Sequence, residues 1–235
     1  DDLEALEEVV SGNDVAAVIL ETIPATSGFP LPSARYLSGV KACCEVYGTQ
    51  YVADEVQTGL GRTGDLWAVQ GYGVAPDVLI TAKGLSGGLY PIAAAVLGPQ
   101  AGAWLQEDGW AHVSTFGGAE IGCQVAREVL RICSDPSLLA RVRALSERFG
   151  AGLDDIRTRR PFLVEVRRRG LVMGLRFAHP EGGKLMTALL YQHGIWAIYA
   201  GHDPSVVQFK PGLLVDDALA DEILERVDAA LGALG

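Results

Sequence analysis

What most constrains the fold is the order of the apolar runs. Short, nearly continuous apolar stretches at residues 15–20, 50–53, 78–81 and 92–97 alternate with longer stretches of mixed polarity. A continuous run suits a strand buried on both faces. Residues 15–20 are the clearest case. Apolar residues three or four apart suit a helix packed on one side. Residues 2–10 and 34–47 read as helices. The second carries Leu37, Val40, Lys41 and Cys44 at that spacing, and Gly48 stops it. Residues 22–33, rich in Pro and Gly, and 56–64, rich in Gly and Thr, read as loops. This alternation predicts an α/β fold with a parallel or mixed sheet and helices on both faces.

The pattern changes after about Ser134-Asp135-Pro136. Residues 119–133 and 137–157 read as long helices, and 164–169 with 172–177 as a strand pair turning at Gly170. A helix at 183–193, strands at 195–199 and 206–209, and a closing helix at 218–234 complete a small α+β domain. Charge changes at the same place. Residues 1–134 hold 16 acids and 6 bases, whereas residues 135–235 hold 13 of each. The expected domains are therefore 1–134 and 135–235.

A net charge of −10 argues against wrapping nucleic acid or lying on an anionic membrane. Ten of the fifteen arginines lie between Arg141 and Arg176. Nearby acids balance them, so they read as a solvated face and not as an anion patch. No apolar run approaches the ~20 residues that span a bilayer. No signal peptide is expected from the acidic start at Asp1 and Asp2. Cys43, Cys44, Cys123 and Cys133 have neither CxxC spacing nor a histidine partner pattern, so neither a disulfide framework nor a metal site is expected. A reducing, cytoplasmic setting follows. A chain that starts without Met also suggests a missing upstream part.

Three segments carry chemistry. Asp54 and Glu55 directly follow a strand, where α/β sheets bind ligands. Lys83 follows the next strand and precedes Gly84-Leu85-Ser86-Gly87-Gly88, whose backbone can approach a ligand closely. Ser114 and Thr115 precede a helix, where hydroxyls and N–H groups hold anions. Each also has a plain structural reading: solvated acids, a surface lysine, an N-cap. Together they suggest a phosphorylated carbonyl compound with a cationic ring nitrogen. Pyridoxal phosphate has that description. A lysine binds its carbonyl, a carboxylate pairs with its ring nitrogen, and hydroxyls hold its phosphate.

The motifs ADEVQTGLGRTG at 53–64, PDVLITAKGLSGG at 76–88 and STFGG at 114–118 stand in the order and spacing of a known family. In them the chain resembles the C-terminal part of class III (omega) aminotransferases, which are pyridoxal-phosphate enzymes of fold type I. The resemblance covers essentially all 235 residues. It implies a large-domain portion with a mostly parallel sheet, followed by a small C-terminal domain. It implies Lys83 as the Schiff-base lysine and proton shuttle, and Asp54 as the partner of the ring nitrogen. Val56 would pack on the ring and Gln57 would lie near its hydroxyl. Thr115, with Ser114 beside it, would bind the phosphate of a neighbouring subunit. A homodimer with shared sites is thus implied. The implied reaction moves an amino group from an amine or amino acid to a 2-oxo acid. Aminomutase, decarboxylase or lyase chemistry on the same scaffold is the alternative, as is an inactive half needing a separate N-terminal chain. Glu55 and Arg62 are expected to be structural.

The family is about twice this long, and its N-terminal half carries a phosphate cup and a stacking aromatic residue that are not found here. A second departure concerns substrate recognition. Many members have a glutamate at the position of Thr26 and an arginine at that of Gln208. The arginine grips a substrate carboxylate. Both are replaced here, so the expected donor is either an amine lacking a carboxylate at that spot or one whose carboxylate is held by other groups, with Lys210 and an arginine of the N-terminal half as candidates.

Overall fold

The computed structural model describes residues 1–234. They form two compact units. The first comprises residues 1–22, 32–60 and 65–135. The second comprises 23–31, 61–64 and 136–235. The main division falls between Asp135 and Pro136, and residues 23–31 and 61–64 group with the second unit.

In the first unit, α1 (Leu3–Val10) begins at Asp2, whose carboxylate accepts the Ala5 N–H at 2.9 Å. There follow β1 (Ala17–Glu21), α2 (Tyr36–Val46), β2 (Gln50–Asp54), β3 (Val78–Thr81), β4 (Ala94–Leu97), α3 (Trp104–Glu107) and α4 (Glu120–Cys133). The sheet runs in the order β1-β2-β3-β4. The first three strands are parallel and β4 is antiparallel to β3. This is an α/β unit with a mixed, mostly parallel sheet. α2 covers one face, where Leu37, Val40 and Cys44 pack with Tyr51, Ala53 and Leu79.

The expectation that residues 15–20 are buried on both faces fails. β1 is an edge strand, Ala17 is exposed, and Ile19 is 60 % exposed. An apolar run reports that a strand can be covered, not that a neighbour covers it.

The second unit contains α5 (Pro136–Arg159), β5 (Leu163–Arg169), β6 (Val172–Phe177), α6 (Gly182–Gln192), β7 (Ile198–Tyr199), β8 (Val206–Phe209) and α7 (Asp217–Gly232). Its sheet, β5-β6-β8-β7, is antiparallel throughout. β5 and β6 turn at Gly170, where φ is +61°. A Cβ there would lie 2.4 Å from the Arg62 carbonyl oxygen, so only glycine suits the turn. Phe149, Leu153, Met173 and Phe209 lie in one core, with the Phe149 and Phe209 rings edge-on at 5.7 Å. Arginines of α5 pair with aspartates of α7: Arg148 with Asp221 at 2.6 Å, and Arg159 with Asp228 at 2.7 Å. Arg160, just beyond α5, also reaches Asp228 at 2.7 Å. Among the described residues, no helix is long and apolar enough to cross a membrane.

Candidate functional site

The carboxyl edge of the first unit's parallel strands gathers most of the candidate residues. Glu21, Asp54 and Ile80 stand in register across β1, β2 and β3. Asp54 is the last residue of β2 and is half-buried. Strand alternation sets it on the face opposite Ala53, away from the core under α2. Its Oδ1 accepts the Val56 N–H at 2.9 Å, which fixes the carboxylate in a local turn. Val56 and Gln57 are half-buried in the turn that follows.

Lys83 stands two residues beyond β3, so its amine and the Asp54 carboxylate come from the ends of adjacent strands. Lys83 is exposed and has φ of +43°. A non-glycine residue held there stores about 1–3 kcal/mol and needs its surroundings to impose the conformation. The surroundings are identifiable. Lys83 opens a 3-10 turn, residues Lys83–Ser86, in which Leu85 donates its N–H to the Ala82 carbonyl at 3.0 Å. The Leu85 side chain is 2 % exposed and packs with Leu60, Ala126 and Cys133.

Ser114 and Thr115 lie in an exposed segment leading to α4. Ser114 Oγ accepts the Gly117 N–H at 3.0 Å and lines an open hollow of about 490 Å³ with Trp110, His112 and Val113. The structure thus joins Asp54, Val56, Gln57 and Lys83 at one sheet edge, and carries Ser114 and Thr115 on an outward segment.

Glu55 is buried, at 1 % exposure. Its Oε1 accepts from Thr22 Oγ1 at 2.7 Å and the Val69 N–H at 2.9 Å. Its Oε2 accepts from Thr58 Oγ1 at 2.7 Å and the Ala68 N–H at 3.0 Å. Sequence reasoning gave Glu55 a structural role but did not find its partners. Thr81, at the end of β3, is also buried, and its hydroxyl has no partner.

The donor set suits pyridoxal phosphate. It offers a primary amine, a carboxylate anchored through one oxygen, and glycines at 84, 87 and 88 that leave the approach low. Gly87 has φ of +55°, which glycine adopts without strain. Among the described residues no group of three or more His, Cys, Asp or Glu could hold a metal ion, and no disulfide joins the cysteines.

In the second unit Gln208 is buried, and its Oε1 accepts from Lys210 Nζ at 2.9 Å. Lys210 Nζ also lies 5.6 Å from the centre of the Phe29 ring. Thr26 is exposed, and its carbonyl accepts the His202 N–H at 2.9 Å.

Known proteins match this chain along its length. It is 44 % identical over 230 residues to an uncharacterized aminotransferase of Archaeoglobus fulgidus, covering 98 % of this chain and 54 % of that protein. It is 38 % identical over 235 residues to the acetylornithine aminotransferase of Pseudomonas putida, covering 99 % and 56 %. The crystal structure of the N-acetylornithine aminotransferase of Stenotrophomonas maltophilia superposes with a TM-score of 0.88 at 32 % identity, over 99 % of this chain and 60 % of that one. The chain spans about half the length of the curated relatives it matches. The family model for class-III aminotransferases matches residues 1–231. The chain therefore belongs to the class-III aminotransferases, a family of pyridoxal-phosphate-dependent enzymes with this fold.

Proposed function

We propose that this protein is a pyridoxal-phosphate-dependent aminotransferase, moving an amino group from an amine or amino acid to a 2-oxo acid. The observation that carries the reading is the pairing of Asp54 and Lys83 at the carboxyl ends of adjacent parallel strands. When bound, the cofactor supplies the electron sink. The chain's residues supply the rest. Lys83 Nζ would hold the cofactor covalently and, once released, would move the proton that transamination requires. The Asp54 carboxylate would keep the ring nitrogen protonated through a charge-assisted bond. Val56 would pack on the ring and Gln57 would lie near its hydroxyl.

Ser114 and Thr115 hold phosphate for a second copy of the chain, making a homodimer with shared sites. Their placement on an exposed segment supports this reading. The chain works in the cytoplasm, in keeping with four cysteines outside any described disulfide. Relatives are named for acetylornithine and succinylornithine, which directs donor screening toward ornithine derivatives. Lys210, directly after β8, brings a cation to Gln208, the position where many family members carry arginine, so a carboxylate-bearing donor remains suited to this strand.

The test is borohydride reduction of the protein with pyridoxal phosphate. The label is expected on Lys83, together with a visible absorbance band, and Lys83→Ala is expected to lose both. Label elsewhere, or equal behaviour of the two proteins, overturns the reading. Mixing inactive Lys83→Ala and Thr115→Ala proteins tests the shared site, because a mixed dimer rebuilds one intact site. No recovered activity overturns the dimer assignment.

A further inference from the structure

Asp54 and Glu55 are consecutive carboxylates with opposite surroundings. Asp54 is half-buried at the sheet edge, whereas Glu55 is sealed at 1 % exposure. Glu55 uses every polar group it has. Its N–H donates to the Ile80 carbonyl on β3 at 2.9 Å, and its carbonyl accepts the Gly59 N–H at 3.0 Å. Its two carboxylate oxygens accept four bonds between 2.7 and 3.0 Å. The four donors are neutral: two hydroxyls and two backbone N–H groups. Thr22 also donates its N–H to the Asp54 carbonyl at 3.3 Å.

These bonds reach the residue after β1, the end of β2, the end of β3 and the segment at 68–69. We propose that Glu55 is a positioning residue: its buried carboxylate ties the residue after β1 to the turn after β2 and to the segment at 68–69, while its backbone N–H holds Ile80 of β3, and this anchoring fixes the spacing between Asp54 and Lys83. The inference rests on the reading of Asp54 and Lys83 as cofactor residues. Glu55 itself faces the opposite side of the strand from Asp54 and acts only through the backbone.

The arrangement is sensitive to a change as small as Glu55→Gln. Each oxygen receives one hydroxyl and one backbone N–H. A hydroxyl can rotate to accept, but a backbone N–H cannot. Whichever way the amide is turned, its NH2 meets the N–H of Ala68 or Val69. One buried donor is then left facing another, which is the expensive case. Thr22→Val removes one hydroxyl donor only, and its effect should be smaller.

Two readouts test this. Hydrogen exchange on the cofactor-free protein should show at least tenfold faster exchange in Glu55→Gln at residues 54–60 and 80–86, with residues 163–177 unchanged. Titration with pyridoxal phosphate should show at least tenfold weaker binding and a displaced pH dependence of the absorbance band. The displacement should run in the same direction as in Asp54→Asn. Phe149→Ala, destabilised to a similar Tm, should leave that pH dependence at the wild-type value. Wild-type exchange at 80–86 in Glu55→Gln, or an unmoved pH dependence despite a lowered Tm, overturns the proposal. If the wild-type protein forms no band, the aminotransferase reading fails, and the exchange data still decide whether Glu55 ties the strand ends.

Discussion

The second unit gathers most of its core into one large cluster around Phe149, Leu153, Met173 and Phe209, whereas the first divides its core between a cluster under α2 and a smaller one around Leu60 and Leu85; both leave large apolar side chains in solvent, Trp196 and Leu214 in the second, Val113 and Phe116 in the first. Both units come from one chain of ordinary apolar content, so composition does not make the difference. Topology does. The second unit packs helices α5, α6 and α7 with an antiparallel sheet around one large apolar cluster, beside a small one of Ile23, Ala25, Phe29 and Val172. The first unit covers one face of its sheet with α2 and leaves apolar residues elsewhere in solvent. Every candidate cofactor residue lies in the first unit. A unit built on one large core and a unit with a divided core that carries the chemistry is an arrangement that substitutions can test.

The largest effect is expected from Phe149→Ala. The side chain is fully buried and meets Phe209 edge-on, so its loss should cost about 3–5 kcal/mol. Chemical denaturation monitored by circular dichroism would measure it. A loss under about 1 kcal/mol would mean that the second unit collapses around the cavity and is less tightly specified than its burial indicates.

The helix at 137–157 and the strand pair after it were legible because their signals are local. The spacing of Val142, Leu145, Phe149 and Leu153 marks a helix face, and Gly170 marks the turn between β5 and β6. The Asp54 and Lys83 segments were legible for a related reason: each is a short motif directly after a strand. The rest depends on distant residues. Nothing local to 23–31 or 61–64 shows that they join the second unit, since their partners there include residues 139 to 149 positions further on, as in Arg167 to the Gly28 carbonyl and Arg62 to the Pro211 carbonyl. Nor does a strand's own sequence reveal that it lies at a sheet edge, as β1 does. Glu55 gave no hint of four donors, because Thr22, Ala68 and Val69 reach it only once the strands are assembled.

A smaller effect is expected from the ion pairs between α5, its following residue Arg160, and α7. The bond from Arg160, then that from Arg159, holds the Asp228 carboxyl below its ordinary value of 3.8. A depressed carboxylate stabilises the fold above its unfolded pKa, and that contribution is lost as pH falls through the folded value. Asp228→Asn should therefore lower stability at neutral pH by about 1 kcal/mol or less, since Asp228 is partly exposed. The difference from wild type should shrink as pH drops below about 4. Added salt should shrink it too. Thermal melts at neutral and acid pH would show this. A constant gap across the range would mean that the carboxylate contributes by shape and not by charge.

The smallest effect is expected from Ile19→Thr, and it bears most directly on the first unit. Ile19 is 60 % exposed on β1, an edge strand. Threonine keeps the β-branch that suits a strand and removes apolar surface. If water covers this face, little burial is lost, and the change in stability should stay within about 0.5 kcal/mol. Association should respond instead. An edge strand with unpaired backbone groups beside apolar side chains is a template for further pairing. Light scattering should therefore fall in Ile19→Thr while the denaturation midpoint holds. A loss above about 1 kcal/mol would show that Ile19 is covered in the protein in solution. The contrast between the two units would then lie in what completes each core: the second unit's own helices in one case, and a surface from outside the unit in the other.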